Sequence, residues 1–111
     1  MFVEEKEIGE AQVKPTTPPL KFSTAIRLGA LMSEQHRGSF FGGRGGSCAI
    51  GAAVLATIGK DRFSSMGAHE MRQWLKSYGI TDRIKDRIVH RNDAENWSRE
   101  GIANWLESKG L

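Results

Sequence analysis

The chain has little of several features that would narrow its function. Only one cysteine, Cys48, occurs in the 111 residues, so no disulfide can form within the chain. No apolar run approaches the ~20 residues that a membrane-spanning helix needs. Residues 1–10 carry four glutamates and no apolar core, unlike a secretory signal peptide. These absences favour a cytoplasmic protein without a membrane partner and are compatible with a reducing compartment.

Motifs for metals and nucleotides are also missing. The cysteine and the three histidines, at 36, 69 and 90, do not have the spacing of a zinc site. The residues after Asp93 lack the glycine and the final glutamate of an EF-hand. The sequence GGRGGS at 42–47 lacks the Lys-Ser/Thr ending of a P-loop. We therefore expect no metal, no cofactor and no nucleotide hydrolysis.

Charge is divided unevenly along the chain. The formal net charge is +3, but residues 1–20 hold two lysines and four glutamates, a net charge of −2. The remaining residues hold fourteen Lys and Arg and nine Asp and Glu, a net charge of +5. Such a modestly basic body permits nucleic acid or an acidic partner, although it is also normal for a soluble domain. Three prolines at 15, 18 and 19 predict that residues 1–20 form a disordered or extended tail before a helical domain at 21–111.

The stretch at 38–59 organises the predicted fold. Residues 38–46 include five glycines, and residues 47–58 are almost wholly apolar and rich in alanine. A helix that is apolar all round must be surrounded by other elements. We therefore predict a glycine loop, an N-cap at Ser47, and a buried central helix over about 47–58 that Gly59 closes. The predicted fold class is all-α: one small domain of four to five helices around this helix.

The other predicted helices follow from apolar residues at helical spacing. The first begins at an N-cap at Ser23, and its apolar stripe contains Ala25, Leu28, Gly29, Leu31 and Met32, with Ile26 beside them. This first helix is predicted to end at about residue 35. Three further helices are predicted: one over about 66–78, one from an N-cap at Thr81 to about residue 90, and one from an N-cap at Ser98 to residue 110. A strand over 87–90 is an alternative. Residues 92–96 are predicted to be a loop.

Cys48 is the one candidate nucleophile. It follows a predicted helix start, where the helix dipole lowers the pKa of a thiol, and Arg44 could assist. A free cysteine in an alanine-rich helix is more often a small buried hydrophobe. No loop typical of a protease or a phosphatase surrounds it. We interpret Cys48 as structural, assign no catalytic residue, and keep a thiol enzyme or redox sensor as an alternative.

Four arginines are candidates for binding an anion or nucleic acid. Arg83, Arg87 and Arg91 follow each other at intervals of four on a predicted helix, and so form a basic ridge. A ridge of this kind is usually a solvated helix face, and two aspartates beside it partly neutralise it. Arg44 lies in the glycine loop before a predicted helix start, a position that often binds phosphate.

Two pairs of segments resemble a pattern in small uncharacterised bacterial and phage proteins. One pair is STAIRLGA at 23–30 and SCAIGAA at 47–53, and the other is HRND at 90–93 and WSREGIANWLE at 97–107. The chain departs from the pattern at Arg91, where leucine is expected, and at Gly101, where an acidic residue is expected. The resemblance implies no known activity, so no catalytic residue can be assigned through it. It is consistent with residues 92–98 fixing a loop.

Because no catalytic constellation emerges, the sequence favours a non-enzymatic role. We predict a small interaction or regulatory module, such as a phage or mobile-element accessory protein, whose partner is another protein. Nucleic-acid binding by the basic ridge and thiol chemistry at Cys48 are the alternatives.

Overall fold

The computed structural model describes residues 21–111. This range contains six helices and no strand, which confirms the all-α prediction. The helices are α1 Phe22–Ala30, α2 Ala49–Ala56, α3 Lys60–Ser64, α4 Ala68–Lys76, α5 Asp82–Asp93 and α6 Arg99–Glu107. The predicted tail at 1–20 lies outside the described residues. Within 21–111, no helix has both the length and the apolar character needed to cross a bilayer.

The apolar helix α2 lies at the centre of the fold, as predicted. Its first six residues are all buried, and α1 packs along it. A Cβ atom on Gly29 of α1 would lie only 1.7 Å from the carbonyl oxygen of Ala52. A Cβ atom on Gly51 would lie 2.2 Å from the carbonyl oxygen of Phe40. The backbones of α1, α2 and the preceding loop therefore meet at places where no side chain fits.

The start of α2 differs from the prediction. Its N-cap is Cys48, whose Sγ accepts a hydrogen bond from the amide of Gly51 at 3.4 Å. Ser47 is drawn out of the helix because its amide donates to the carbonyl oxygen of Glu34, and its own carbonyl accepts from the amide of His36. The helix is therefore shorter than predicted and covers 49–56 rather than 47–58.

The predicted cap of α1 is also wrong. The helix begins at Phe22, and Lys21 is the N-cap without a side-chain hydrogen bond. Ser23 lies inside the helix and its Oγ donates to the carbonyl oxygen of Leu111 at 2.8 Å. The hydroxyl therefore connects α1 to the C-terminal end of the described chain rather than capping its own helix.

The buried face of α1 agrees with the predicted stripe only in part, since Ala25 and Gly29 are buried as predicted. The side chains that pack against α2 and α6 are those of Phe22, Ala25 and Ile26. Leu28, Leu31 and Met32, which the predicted stripe included, are 43%, 85% and 61% exposed. The close approach at Gly29 fixes which face meets α2, and the helix ends at Ala30, so Leu31 and Met32 lie beyond its last regular turn.

The caps of the last two helices are confirmed. The Oγ1 of Thr81 accepts from the amide of Ile84 at 3.2 Å, and the Oγ of Ser98 accepts from the amide of Gly101 at 2.9 Å. The helix α5 continues to Asp93, three residues further than predicted, and the alternative strand over 87–90 is wrong.

Aromatic side chains hold α4 against the rest of the domain. The ring of Trp74 makes edge contacts with Phe22 of α1 at 5.9 Å and with Phe63 of α3 at 6.1 Å, measured between ring centres. Phe63 is buried, as the sequence indicated, although the segment around it is a short helix rather than an irregular connection.

Candidate functional site

The connection between α1 and α2, residues 31–48, is folded back on itself and is called the glycine loop below. The amide of Cys48 donates to the carbonyl oxygen of Phe40 at 3.0 Å, and the amide of Gly42 donates to the carbonyl oxygen of Gly46 at 2.9 Å. These bonds close a tight turn at the tip and pair the two arms of the loop. The loop is thus a defined surface rather than an open connection.

Arg99, in the first turn of α6, joins both ends of the glycine loop. Its guanidinium donates to the carbonyl oxygen of Ser33 at 2.7 Å and to the Oγ atoms of Ser33 and Ser47 at 3.2 and 3.1 Å. The residue is only 9% exposed, and among residues 21–111 it forms no ion pair with a carboxylate. Burial lowers the pKa of Arg99. Sequence reasoning missed this residue, because a basic side chain at a helix start is usually solvated.

The last turn of α5 is fastened to the other side of the glycine loop. Asn92 is fully buried, and its Nδ2 donates to the carbonyl oxygen of His36 at 3.0 Å. Its Oδ1 accepts from the Nε2 of Gln35 at 2.9 Å. The neighbouring Asp93 accepts a hydrogen bond from the amide of Gly38 at 2.9 Å through Oδ1. The pair Asn92 and Asp93 therefore fixes the loop with both of its side chains.

Cys48, the last residue of the glycine loop, is buried. It is 5% exposed, and burial raises the pKa of its thiol, an effect that outweighs the hydrogen bond from the amide of Gly51. A thiol with a raised pKa carries little thiolate at neutral pH and is a weak nucleophile. Two of the histidines have other partners: His36 contacts Ser39 at 2.9 Å, and His90 contacts Glu95 at 3.2 Å.

An open cavity of about 650 Å³ lies between the glycine loop and α5, next to Cys48. Apolar side chains form much of its wall, and charged side chains stand around it. The apolar lining includes Phe40, Cys48, Ile88 and Val89, and the polar lining includes Lys85, Asp86, His90 and Asp93. The sequence did not predict this cavity, because its walls come from segments about forty residues apart that only the fold brings together.

The three ridge arginines lie together but are not equivalent. They line one depression of about 420 Å³ on the outer side of α5. Arg83 and Arg87 are exposed, and neither forms an ion pair with a carboxylate of residues 21–111. Arg91 instead lies between two rings, 4.4 Å from the ring centre of Trp97 and 4.1 Å from that of Trp105. The guanidinium of Arg91 is thus held by the fold through cation–π contacts.

Arg44 is separate from the ridge. It is exposed at the tip of the glycine loop, between Gly43 and Gly45. It lines a different depression, of about 670 Å³, which lies between the loop tip and the segment 32–36. The structure therefore does not combine Arg44 with the arginines of α5 into one anion site.

The three exposed apolar side chains at the end of α1, Leu28, Leu31 and Met32, are called the apolar end of α1 below. They are the exposed large hydrophobic side chains of the described part of the chain. Met32 also lines the depression that contains Arg44, so the apolar end of α1 adjoins the tip of the glycine loop.

The described residues, 21–111, contain no group of three or more His, Cys, Asp or Glu side chains that could hold a metal ion. Comparisons with protein-family models, with curated proteins and with solved structures found no match to this chain.

Proposed function

We propose that this chain is a small non-enzymatic interaction module that binds another protein through the apolar end of α1. The observation that carries the proposal is the exposure of Leu28, Leu31 and Met32, whereas the other large apolar side chains of residues 21–111 are buried or half-buried. Contiguous exposed apolar side chains mark interaction surfaces more often than single ones do.

The energetics indicate how large the contact must be. Complete burial of a Leu or Met side chain contributes roughly 1.5–3 kcal/mol. Association itself costs about 4–15 kcal/mol in lost freedom, so three side chains do not suffice for a stable complex. A partner must therefore also contact the neighbouring glycine loop, where Arg44 and the polar residues 33–36 supply a polar rim.

The surroundings of Cys48 favour binding over catalysis. Its thiol is buried and its pKa is raised. His36, the histidine of the glycine loop, contacts Ser39 instead. A nucleophile needs a base within hydrogen-bond reach or a lowered pKa, and neither is present at Cys48 within the described residues.

An affinity capture with matched variants tests the proposal. The full chain is immobilised and exposed to a lysate of the cells that produce it. We expect a partner protein to be retained by the wild type and by Gln73→Glu, but lost with Leu31→Glu, which adds the same charge at the apolar end of α1. Both residues are exposed, so both variants should keep the unfolding temperature of the wild type. Equal retention by all three proteins would count against this surface.

Nucleic-acid binding is a second candidate, and it is favoured by one observation. Arg83 and Arg87 lie one helical turn apart, exposed, and without an ion-pair partner among residues 21–111. Such side chains can neutralise phosphates, and the resulting affinity falls steeply with salt. A gel-shift assay at low salt should show retardation that the double variant Arg83→Gln, Arg87→Gln abolishes. An unshifted probe at low salt would exclude this candidate.

A further inference from the structure

We propose that the cavity between the glycine loop and α5 binds a small organic amine with an apolar body. The lining of the cavity shares no residue with the apolar end of α1, so the proposal does not rest on the proposed function. Its support comes from the shape of the cavity, its lining and its charge.

The cavity has the size and the lining of a small-molecule site. Its volume of about 650 Å³ lies within the range of 300–1,000 Å³ that is typical of ligand pockets. Its wall includes the nearly fully buried Ile88, the sulfur-bearing Cys48 and Phe40. An apolar group that binds against this wall is removed from water, which favours binding.

The charges around the cavity leave one carboxylate without a cation. The Nζ of Lys85 lies 3.6 Å from an oxygen of Asp86, and the Nε2 of His90 lies 3.2 Å from Glu95. Asp93 forms no ion pair with any of residues 21–111. The carboxylate of Asp93 is therefore the charge of the lining that no cation of these residues neutralises.

One carboxylate oxygen of Asp93 can accept a hydrogen bond from a ligand. Its Oδ1 accepts from the amide of Gly38 at 2.9 Å and from the Nδ2 of Asn92 at 2.7 Å. Its Oδ2 has no hydrogen-bond partner among residues 21–111. Two donors hold the carboxylate in place, so little conformational freedom is lost when a ligand binds its second oxygen.

The end of α5 favours a cation at the same place. Asp93 is the last residue of this helix, where the carbonyl ends of the peptide dipoles carry partial negative charge. The neighbouring cation Arg91 is turned towards Trp97 and Trp105. An ammonium group beside Asp93 thus meets both a carboxylate and a helix C-terminus, while its apolar body covers the wall formed by Phe40 and Ile88.

A titration with three probes of one shape tests the proposal. The full chain, labelled with ¹⁵N, is titrated at neutral pH with 2-phenylethylamine, neutral 2-phenylethanol and anionic 3-phenylpropionate. We expect the amine to shift the amide signals of Gly38, Val89 and Asp93 to saturation. Its affinity should exceed that of the alcohol at least about tenfold, because only the amine makes a charge-assisted hydrogen bond.

Variants link the effect to the cavity. Asp93→Asn keeps an oxygen for the amide of Gly38 but removes the charge, and it should abolish the preference for the amine over the alcohol. The matched control Asp82→Asn removes a carboxylate from the same helix outside the cavity and should leave that preference unchanged. Val89→Trp, which places a large ring in the cavity, should weaken binding of the amine and the alcohol alike.

Three results would overturn the proposal. One is the absence of saturable shifts with 2-phenylethylamine, and another is equal binding of all three probes. The third is a preference for the amine that survives Asp93→Asn. If Asp93→Asn does not fold, the outcome with Val89→Trp decides, since unchanged amine binding in that variant places the ligand elsewhere.

Discussion

The side-chain amide of Asn92 donates a hydrogen bond to the carbonyl oxygen of His36 across 56 positions of sequence. The same side chain accepts a hydrogen bond from Gln35, and no part of it is exposed to solvent. A single buried amide thereby satisfies a donor and an acceptor of the glycine loop at once. The position of the loop over α2 thus depends on a residue at the far end of α5.

We expect Asn92→Ala to lower the free energy of unfolding by about 1–3 kcal/mol, because it leaves the half-buried carbonyl of His36 without its donor and the side-chain amide of Gln35 with only its bond to the carbonyl of Trp97. Urea unfolding followed by circular dichroism measures the change. Asn104→Ala is the control, since Asn104 bonds Arg27 in an exposed position. Equal losses in the two variants would contradict the role assigned to Asn92.

Gly29→Ala should destabilise the domain more than any other exchange of glycine for alanine in α1 or the glycine loop tip. The added methyl group would meet the carbonyl oxygen of Ala52, so α1 and α2 must move apart, at a cost of about 1–3 kcal/mol. Gly43→Ala, where nothing lies within 4 Å, should leave the stability unchanged or slightly increased. Thermal unfolding of both variants checks the difference, and a stable Gly29→Ala would show that the helices do not meet at Gly29.

Arg99→Lys should cost about 2 kcal/mol, although the charge is kept, because an ammonium cannot reach Ser33 and Ser47 with the planar geometry of a guanidinium. Hydrogen exchange should become faster at the amides of His36 and Cys48, which pair the two arms of the loop. Arg27→Lys serves for comparison, since the contacts of Arg27 with Glu100, Asn104 and Glu107 are exposed. Unchanged exchange in Arg99→Lys would mean that the loop is held by its backbone alone.

Cys48 should make the stability depend on pH in the alkaline range. Burial raises the pKa of its thiol above the ordinary value of 9.0, so the unfolded chain releases this proton first. The contribution of the thiol is fully present below pH 9 and is lost as the pH rises towards the folded pKa. Tyr78, whose pKa is also raised by burial, adds a loss of the same sign at higher pH. Unfolding free energies from pH 7 to 10 should fall less steeply in Cys48→Ala.

Thiol labelling provides a second measurement on Cys48. In the folded protein at neutral pH, labelling should be much slower than in an unfolded control, because the sulfur is both covered and protonated. Labelling as fast as in the unfolded control would favour the alternative of a thiol enzyme or redox sensor.

Arg91→Gln should lower stability, whereas Arg83→Gln should not. The guanidinium of Arg91 lies between Trp97 and Trp105, and each such contact is worth about 0.5–2 kcal/mol. Arg83 is exposed and contacts no carboxylate of residues 21–111. Urea unfolding measures both, and tryptophan fluorescence should change only in Arg91→Gln. Equal stability of the two variants would contradict the contacts of Arg91.

The sequence predicted what depends on local patterns. The caps at Thr81 and Ser98 and the burial of the alanine-rich helix follow from residue type and spacing, and all three are found. The cap at Ser47 failed, because Arg99 and Glu34 bind this serine from elsewhere in the chain. These contacts come from residues distant in the sequence, so a local pattern around Ser47 cannot predict them.

The face of α1 could not be predicted for a related reason. The spacing put Leu28 on the predicted stripe and Ile26 beside it, whereas the structure buries Ile26 and exposes Leu28, because the backbone contact at Gly29 fixes the face that meets α2. The cavity and the role of Asp93 depend on the same kind of distant contact. The ridge arginines were correctly placed on one helix face, but the aromatic partners of Arg91 come from the next segment.

The hydrogen bonds from Arg99 and Asn92 to the glycine loop also affect how the protein folds during its synthesis on the ribosome. Ser33 is synthesised 66 residues before the arginine that binds it, an interval of roughly 3–13 s at ordinary elongation rates. During that interval α1, the loop and the apolar α2 have left or are leaving the exit tunnel while their partners in α5 and α6 do not yet exist. Until α5 and α6 have been synthesised, the apolar helix α2 remains without the side chains that cover it in the folded protein. We therefore expect a chaperone that binds nascent apolar segments to increase the yield of this protein.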